Sequence, residues 1–182
     1  LLNLATPVGS SLVILSANSI EHALVTYAAF QVGIPVVPIT PALALQPEAA
    51  GQLEERLTQV NPGLVFVQDA QEYTRALALV GQGVRVIAVK NLRHDAGDLA
   101  YDDLVRTAPS QDVDDAFAAI DPDAMARLMF TSGSSGSPKA VIQTQRNIMV
   151  AVESNLTAFG QKGSSLGVTR LDWMPWSHVT GS

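Results

Sequence analysis

Two kinds of hydrophobic block alternate along the chain. Short apolar runs at 12–16, 36–39, 64–67, 84–89, 126–130 and 139–143 suit strands, those at 12–16 and 64–67 of the buried kind. Between them the apolar positions recur at helical spacing. Ile20, Leu24, Tyr27 and Gln31 follow Asn18 and Glu21, whose separation is that of a capping box, and Gly33 with Pro35 stops the helix. A Pro/Ala loop then leads to a helix over 47–60 with Leu53, Leu57 and Val60 on one face, and Asn61-Pro62-Gly63 makes a turn. Further helices are predicted over 70–80, over the acidic stretch 98–107, and over 145–159. In the last of these Ile148, Val152, Asn155 and Phe159 share a face with Met149 and Leu156 beside it, a stripe expected to be core. The acid-rich stretch 112–123 reads as a solvated face plus a connecting loop. Strands alternating with helices predict an α/β fold, a mostly parallel β-sheet flanked by helices on both sides. There is no internal repeat and no interdomain linker.

The chain has 182 residues, 47% hydrophobic and 15% charged, which excludes intrinsic disorder and fits one sizeable core. Its net charge is −6, and no lysine or arginine precedes Arg56. No basic arm is available for a phosphate backbone or an acidic membrane surface, so neither nucleic acid nor membrane is expected as a partner. Cysteine is absent, which excludes disulfides, thiolate metal sites and a cysteine nucleophile, and suits a reducing cytoplasm. His22, His94 and His178 lack metal-ligand spacing, and every long apolar stretch is interrupted short of a membrane span. The opening segment has no basic region of a signal peptide and no initiator Met, so the chain is expected to be a piece of a longer protein.

One stretch carries chemistry. Thr131-Ser132-Gly133-Ser134-Ser135-Gly136-Ser137-Pro138-Lys139 packs five hydroxyls, two glycines and one ammonium into nine residues. Small residues allow backbone N–H groups to approach a ligand and to point into one concavity, and the lysine adds a charge at the end. Such a loop suits a polyphosphate. A flexible Gly/Ser linker has the same composition. Against the linker, apolar runs at 128–130 and 140–142 clamp the segment between elements expected to be buried, and Pro138-Lys139 closes it. A Walker loop is excluded because Pro138 and Ala140 stand where that motif needs Gly and a hydroxyl. A nucleophile elbow is excluded because Gly133 and Gly136 are too close.

Leu128 to Lys139 resembles, position by position, the phosphate-loop signature of the AMP-forming adenylating enzymes, which include acyl-CoA synthetases, luciferases and peptide-synthetase adenylation domains. Ser135 stands where Thr is more usual and Ala140 where Gly is common. The stretches 16–22, 33–41 and 61–66 also resemble the N-terminal half of such a ligase. Asp172-Trp173-Met174-Pro175-Trp176-Ser177-His178 resembles the motif lining the acyl pocket. With 140–146, the two tryptophans resemble the feruloyl-CoA synthases most. The tryptophans themselves suit either an aromatic core corner or stacking on an aromatic acid.

The resemblance implies that 1–182 is part of the large N-terminal AMP-binding domain, without the C-terminal lid. It implies ATP phosphates against Thr131, Ser132, Gly133, Ser134, Ser135, Gly136 and Lys139, with Ser134 also helping to hold Mg2+. His178 is the implied residue beside the substrate carboxylate. The implied reaction joins an aromatic acid, such as ferulate or another hydroxycinnamate, to AMP and then to coenzyme A. The adenine, ribose and lid-lysine positions of the family fall downstream, so this stretch alone is expected to be inactive. Two other readings share the loop: a non-catalytic nucleotide-binding module, and an adenylation domain that loads a carrier protein. Arg146 is expected on a helix surface, His94 in an exposed loop, and His22 on the first helix. Oligomeric state is not legible in the sequence.

Overall fold

The computed structural model describes residues 1–4, 7, 9–131, 139–158 and 174–177. Its elements run β1 (Ser11–Leu15), α1 (Ile20–Gln31), β2 (Val36–Ile39), α2 (Pro41–Leu45), α3 (Ala50–Val60), β3 (Pro62–Asp69), α4 (Thr74–Ala78) and β4 (Arg85–Lys90). They continue with β5 (Leu99–Ala100), α5 (Tyr101–Val105), α6 (Gln111–Ala118), β6 (Met125–Thr131), β7 (Lys139–Thr144) and α7 (Gln145–Ala158). The strands form one sheet in the order β5-β4-β3-β1-β2-β6-β7. Every pairing is parallel except β6 with β7. This is the α/β class that the alternation of strands and helices predicts.

The unbroken apolar runs follow from burial on both faces. Successive side chains of a strand point to opposite sides, so Val13 and Leu15 of β1 join one core while Leu12 and Ile14 join the other. The first core lies under α2, α3 and α4 and includes Leu53, Leu57 and Leu77. The second lies under α1 and α5 and includes Phe66, Val25 and Tyr101. Each large side chain fully removed from water stabilises the fold by about 1.5–3 kcal/mol relative to exposure.

β1 lies in the middle of the sheet, with β2 on one side and β3 on the other. The chain therefore leaves these central strands in opposite directions. Open α/β sheets bind ligands outside the carboxyl ends of the strands at such a switch point.

Several elements differ from expectation in detail. The Pro/Ala loop after β2 is the short helix α2, with Pro41 at its first position, where a missing N–H costs nothing. The helix expected over 70–80 is shortened to α4, and 98–107 splits into the edge strand β5 and α5. Part of the acidic stretch is helical, as α6, and that helix has no buried residue. On α1 the positions chosen from spacing face outward: Ile20 is 76% and Tyr27 69% exposed, while His22, Val25 and Ala29 are buried. The α7 stripe is not core either; none of its described residues is buried, and Met149 is 66% exposed. Gly33 ends α1 at φ +71°, a conformation that glycine adopts at little cost.

Candidate functional site

The carboxyl rim of the sheet is built from strands held in register. Leu12 pairs with Val36, and Val36 with Arg127. Four residues further along, these three strands reach Ser16, Thr40 and Thr131, so the loops that follow them leave from one edge. The hydroxyl-rich loop begins there.

Thr131 and Lys139 form the last rung of the β6–β7 hairpin, and the Thr131 hydroxyl donates to the Lys139 carbonyl at 3.2 Å. The two ends of the loop are thereby fixed side by side. Ser132, Gly133, Ser134, Ser135 and Gly136 lie outside the described residues, as does His178. The stem below the loop is anchored on both faces of β6. Phe130 packs against the first core with the Arg56 guanidinium 5.3 Å from its ring centre. Arg127 lies 5.5 Å over the Phe30 ring of α1, and Met129 is fully buried. Burial pushes the pKa of both guanidiniums below the ordinary arginine value, yet arginine keeps its charge in proteins and the cation–π contacts persist.

The clamp expected around the loop is one-sided. β6 is anchored in the interior, but Val141 and Ile142 of β7 are 42% and 58% exposed. β7 is the terminal strand of the sheet, so among the described residues no further strand covers its outer edge. Arg146 lies on the surface as expected and makes a two-pronged ion pair with Asp123, at 2.7 and 3.0 Å.

A second cluster occupies the same rim at the end of β1. The capping box expected from Asn18 and Glu21 forms differently. Ser19 is the N-cap, its hydroxyl accepting from the His22 N–H at 3.0 Å and donating to Gln68 of β3 at 3.1 Å. Asn18 is released for another task. Its amide N–H donates to the Met174 carbonyl at 2.8 Å, and its amide oxygen accepts from the Trp176 N–H at 2.9 Å. The Trp176 ring meets the His22 ring edge-on, at 5.2 Å and 82°. The tryptophan motif at 174–177 is thus pinned to the β1–α1 junction, about two strand spacings, or ~10 Å, from the start of the hydroxyl-rich loop. Composition offers no signal for this pairing across more than 150 residues; the only hint is that Asn18 and Ser19 are both capping residues and one cap suffices.

The profile of the AMP-binding enzyme family matches residues 1–182, the whole chain. The chain belongs to the AMP-binding enzyme family. A carboxylic acid reductase of Mycobacterium marinum is 27% identical, over 95% of this chain and 16% of its own. A protein of Oryza sativa subsp. japonica named 4-coumarate–CoA ligase-like 4 is 25% identical, over 95% of this chain and 31% of its own. Among solved structures, the McyG adenylation–carrier pair complexed with phenylalanyl-adenylate matches at TM-score 0.64 and 26% identity, over 98% of this chain and 26% of that one. The chain thus spans at most about a third of the length of these relatives. As in other members of the family, the part spanned here is an α/β sheet flanked by helices.

Proposed function

We propose that the protein to which this chain belongs activates a carboxylic acid with ATP, giving an acyl-adenylate and pyrophosphate, and then passes the acyl group to the thiol of coenzyme A. The carboxylate oxygen bonds to the α-phosphorus while the bond to pyrophosphate breaks; the thiol sulfur then bonds to the acyl carbon and AMP leaves. Residues 1–182 are part of the N-terminal AMP-binding domain in this reading. The observation that carries it is the Thr131–Lys139 rung at the carboxyl rim, which fixes side by side the two ends of the hydroxyl-rich stretch.

The first step brings an anion to a polyanion, so it needs positive potential fixed in place beforehand. Thr131, Ser132, Gly133, Ser134, Ser135 and Gly136 offer backbone N–H groups and hydroxyls to the phosphates, and Lys139 offers a charge. The donor set fits Mg2+ carried on substrate phosphates, because that ion keeps waters and needs few protein ligands; Ser134 is the hydroxyl proposed to reach it. When bound, Mg2+ neutralises part of the phosphate charge. His178 is proposed beside the substrate carboxylate.

For the acid, the tryptophan-rich motif at 173–176 supports a planar aromatic substrate, a hydroxycinnamate such as ferulate. The 4-coumarate–CoA ligase-like relative favours the same class. Transfer to a carrier protein is the second reading, favoured by likeness to an adenylation–carrier structure. One experiment separates these. The full-length protein is offered ATP, Mg2+ and a panel of aromatic and aliphatic acids, and pyrophosphate exchange is followed, then AMP release with coenzyme A or with a phosphopantetheinylated carrier. Exchange with hydroxycinnamates and AMP release with coenzyme A are expected. Exchange with no acid contradicts the activity, and release only with the carrier assigns the second reading.

A further inference from the structure

We propose that Asn18 is a positioning residue, which holds the Met174–Trp176 segment in place so that the acid-binding side of the pocket is formed before the acid arrives. The inference rests on the adenylation reading above for what the segment does, but the clamp itself stands on geometry.

Three observations converge on it. A side-chain amide has one donor group and one acceptor, and Asn18 spends both on the backbone of a single tripeptide, at 2.8 Å to the Met174 carbonyl and 2.9 Å from the Trp176 N–H. Such a pair fixes direction as well as distance, since exchanging either end for its opposite would set like partners against each other. The second contact is the edge-on packing of His22 against the Trp176 ring, which fixes that side chain as well as its backbone. The third is the support beneath. His22 is 3% exposed and directs Nδ1 to the Ala17 carbonyl at 3.1 Å, and Ser19 caps α1 while bonded to β3. The β1–α1 junction is therefore braced by the sheet, and Asn18 carries that bracing to the Met174 and Trp176 backbone. Pro175 between the two bonded residues has a fixed φ and no N–H of its own, so Asn18 takes the carbonyl before it and the N–H after it.

Two hydrogen bonds at an exposed site set the size of the effect. Their loss should weaken acid binding about tenfold while leaving the phosphate loop, two strands away, as it was. In the full-length protein, Asn18→Ala is expected to raise the KM for the acid about tenfold in pyrophosphate exchange and to change the KM for ATP less than twofold. Asn18→Asp keeps the acceptor for the Trp176 N–H and loses the donor to Met174, so its KM for the acid should fall between the two. Tryptophan fluorescence supplies a readout apart from activity, with the Trp176 contribution taken as the difference from the matching Trp176→Phe protein. Acrylamide should quench the emission more strongly in Asn18→Ala than in the parent. Unchanged quenching together with an unchanged KM for the acid overturns the clamp. Equal increases in both KM values also overturn it, since they report general loosening. If the parent shows no acid-dependent exchange, the adenylation reading fails and the quenching comparison still decides the clamp.

Discussion

His22 is a buried imidazole with one ring nitrogen near the Ala17 carbonyl and the Trp176 ring against its edge. Burial pushes its pKa below the ordinary 6.5; the Ala17 carbonyl opposes the shift, and the Arg127 charge adds to it. The sign follows. Above the unfolded value both states are neutral and stability is unaffected, whereas below it the unfolded chain binds the proton first and the folded state loses ground until the folded pKa is reached. The melting temperature of the full-length protein is therefore expected to drop on going from about pH 7 to about pH 5. His22→Phe, which keeps a ring against Trp176, should flatten that part of the profile. An identical slope in the variant contradicts the assignment to His22. At this scale the sequence was a partial guide. Asn18, Ser19 and Glu21 announce the start of a helix, but two adjacent residues can both cap it, and only the partner at 174–176 decides which one does.

Elements were legible wherever burial on both faces forced an unbroken apolar run, as in β1, β3 and β4. Spacing alone did worse on the helices. On α1 it singled out Ile20 and Tyr27, which face outward, because small residues such as Ala29 and a histidine line the inner face instead. On α3 the stripe of Leu53, Leu57 and Val60 is buried as expected, since polar residues fill its other face and leave one solution. Leu53 is 1% exposed in the first core, so Leu53→Ala should cost about 2–5 kcal/mol through lost burial and the cavity left behind. Denaturant unfolding of the full-length protein measures it, and a loss below about 0.5 kcal/mol, the range of surface substitutions, would show that α3 is not packed as described. The α7 stripe could not be judged from its own spacing: apolar periodicity says that a face can be covered, not by what, and here the described residues leave it open.

Taken whole, the molecule places two sequence-distant motifs on one rim, the hydroxyl-rich loop after β6 and the tryptophan motif held by Asn18. Strand alternation made the fold class legible, and the twelve-residue run ending at Lys139 made the family legible. The placement of both on one rim was not, because it depends on strand order, with β1 and β6 brought to either side of β2. The central proposal is that the loop is a rigid cradle for phosphates closed by Lys139. Among the described residues no helix is long and apolar enough to cross a membrane. The most direct test compares ATP–pyrophosphate exchange in the parent and in Lys139→Ala at saturating acid. Removing a charge-assisted contact to phosphate, about 1.5–3 kcal/mol, should lower kcat/KM for ATP roughly 10- to 100-fold while leaving the melting temperature nearly unchanged. A variant that exchanges as fast as the parent would contradict the account.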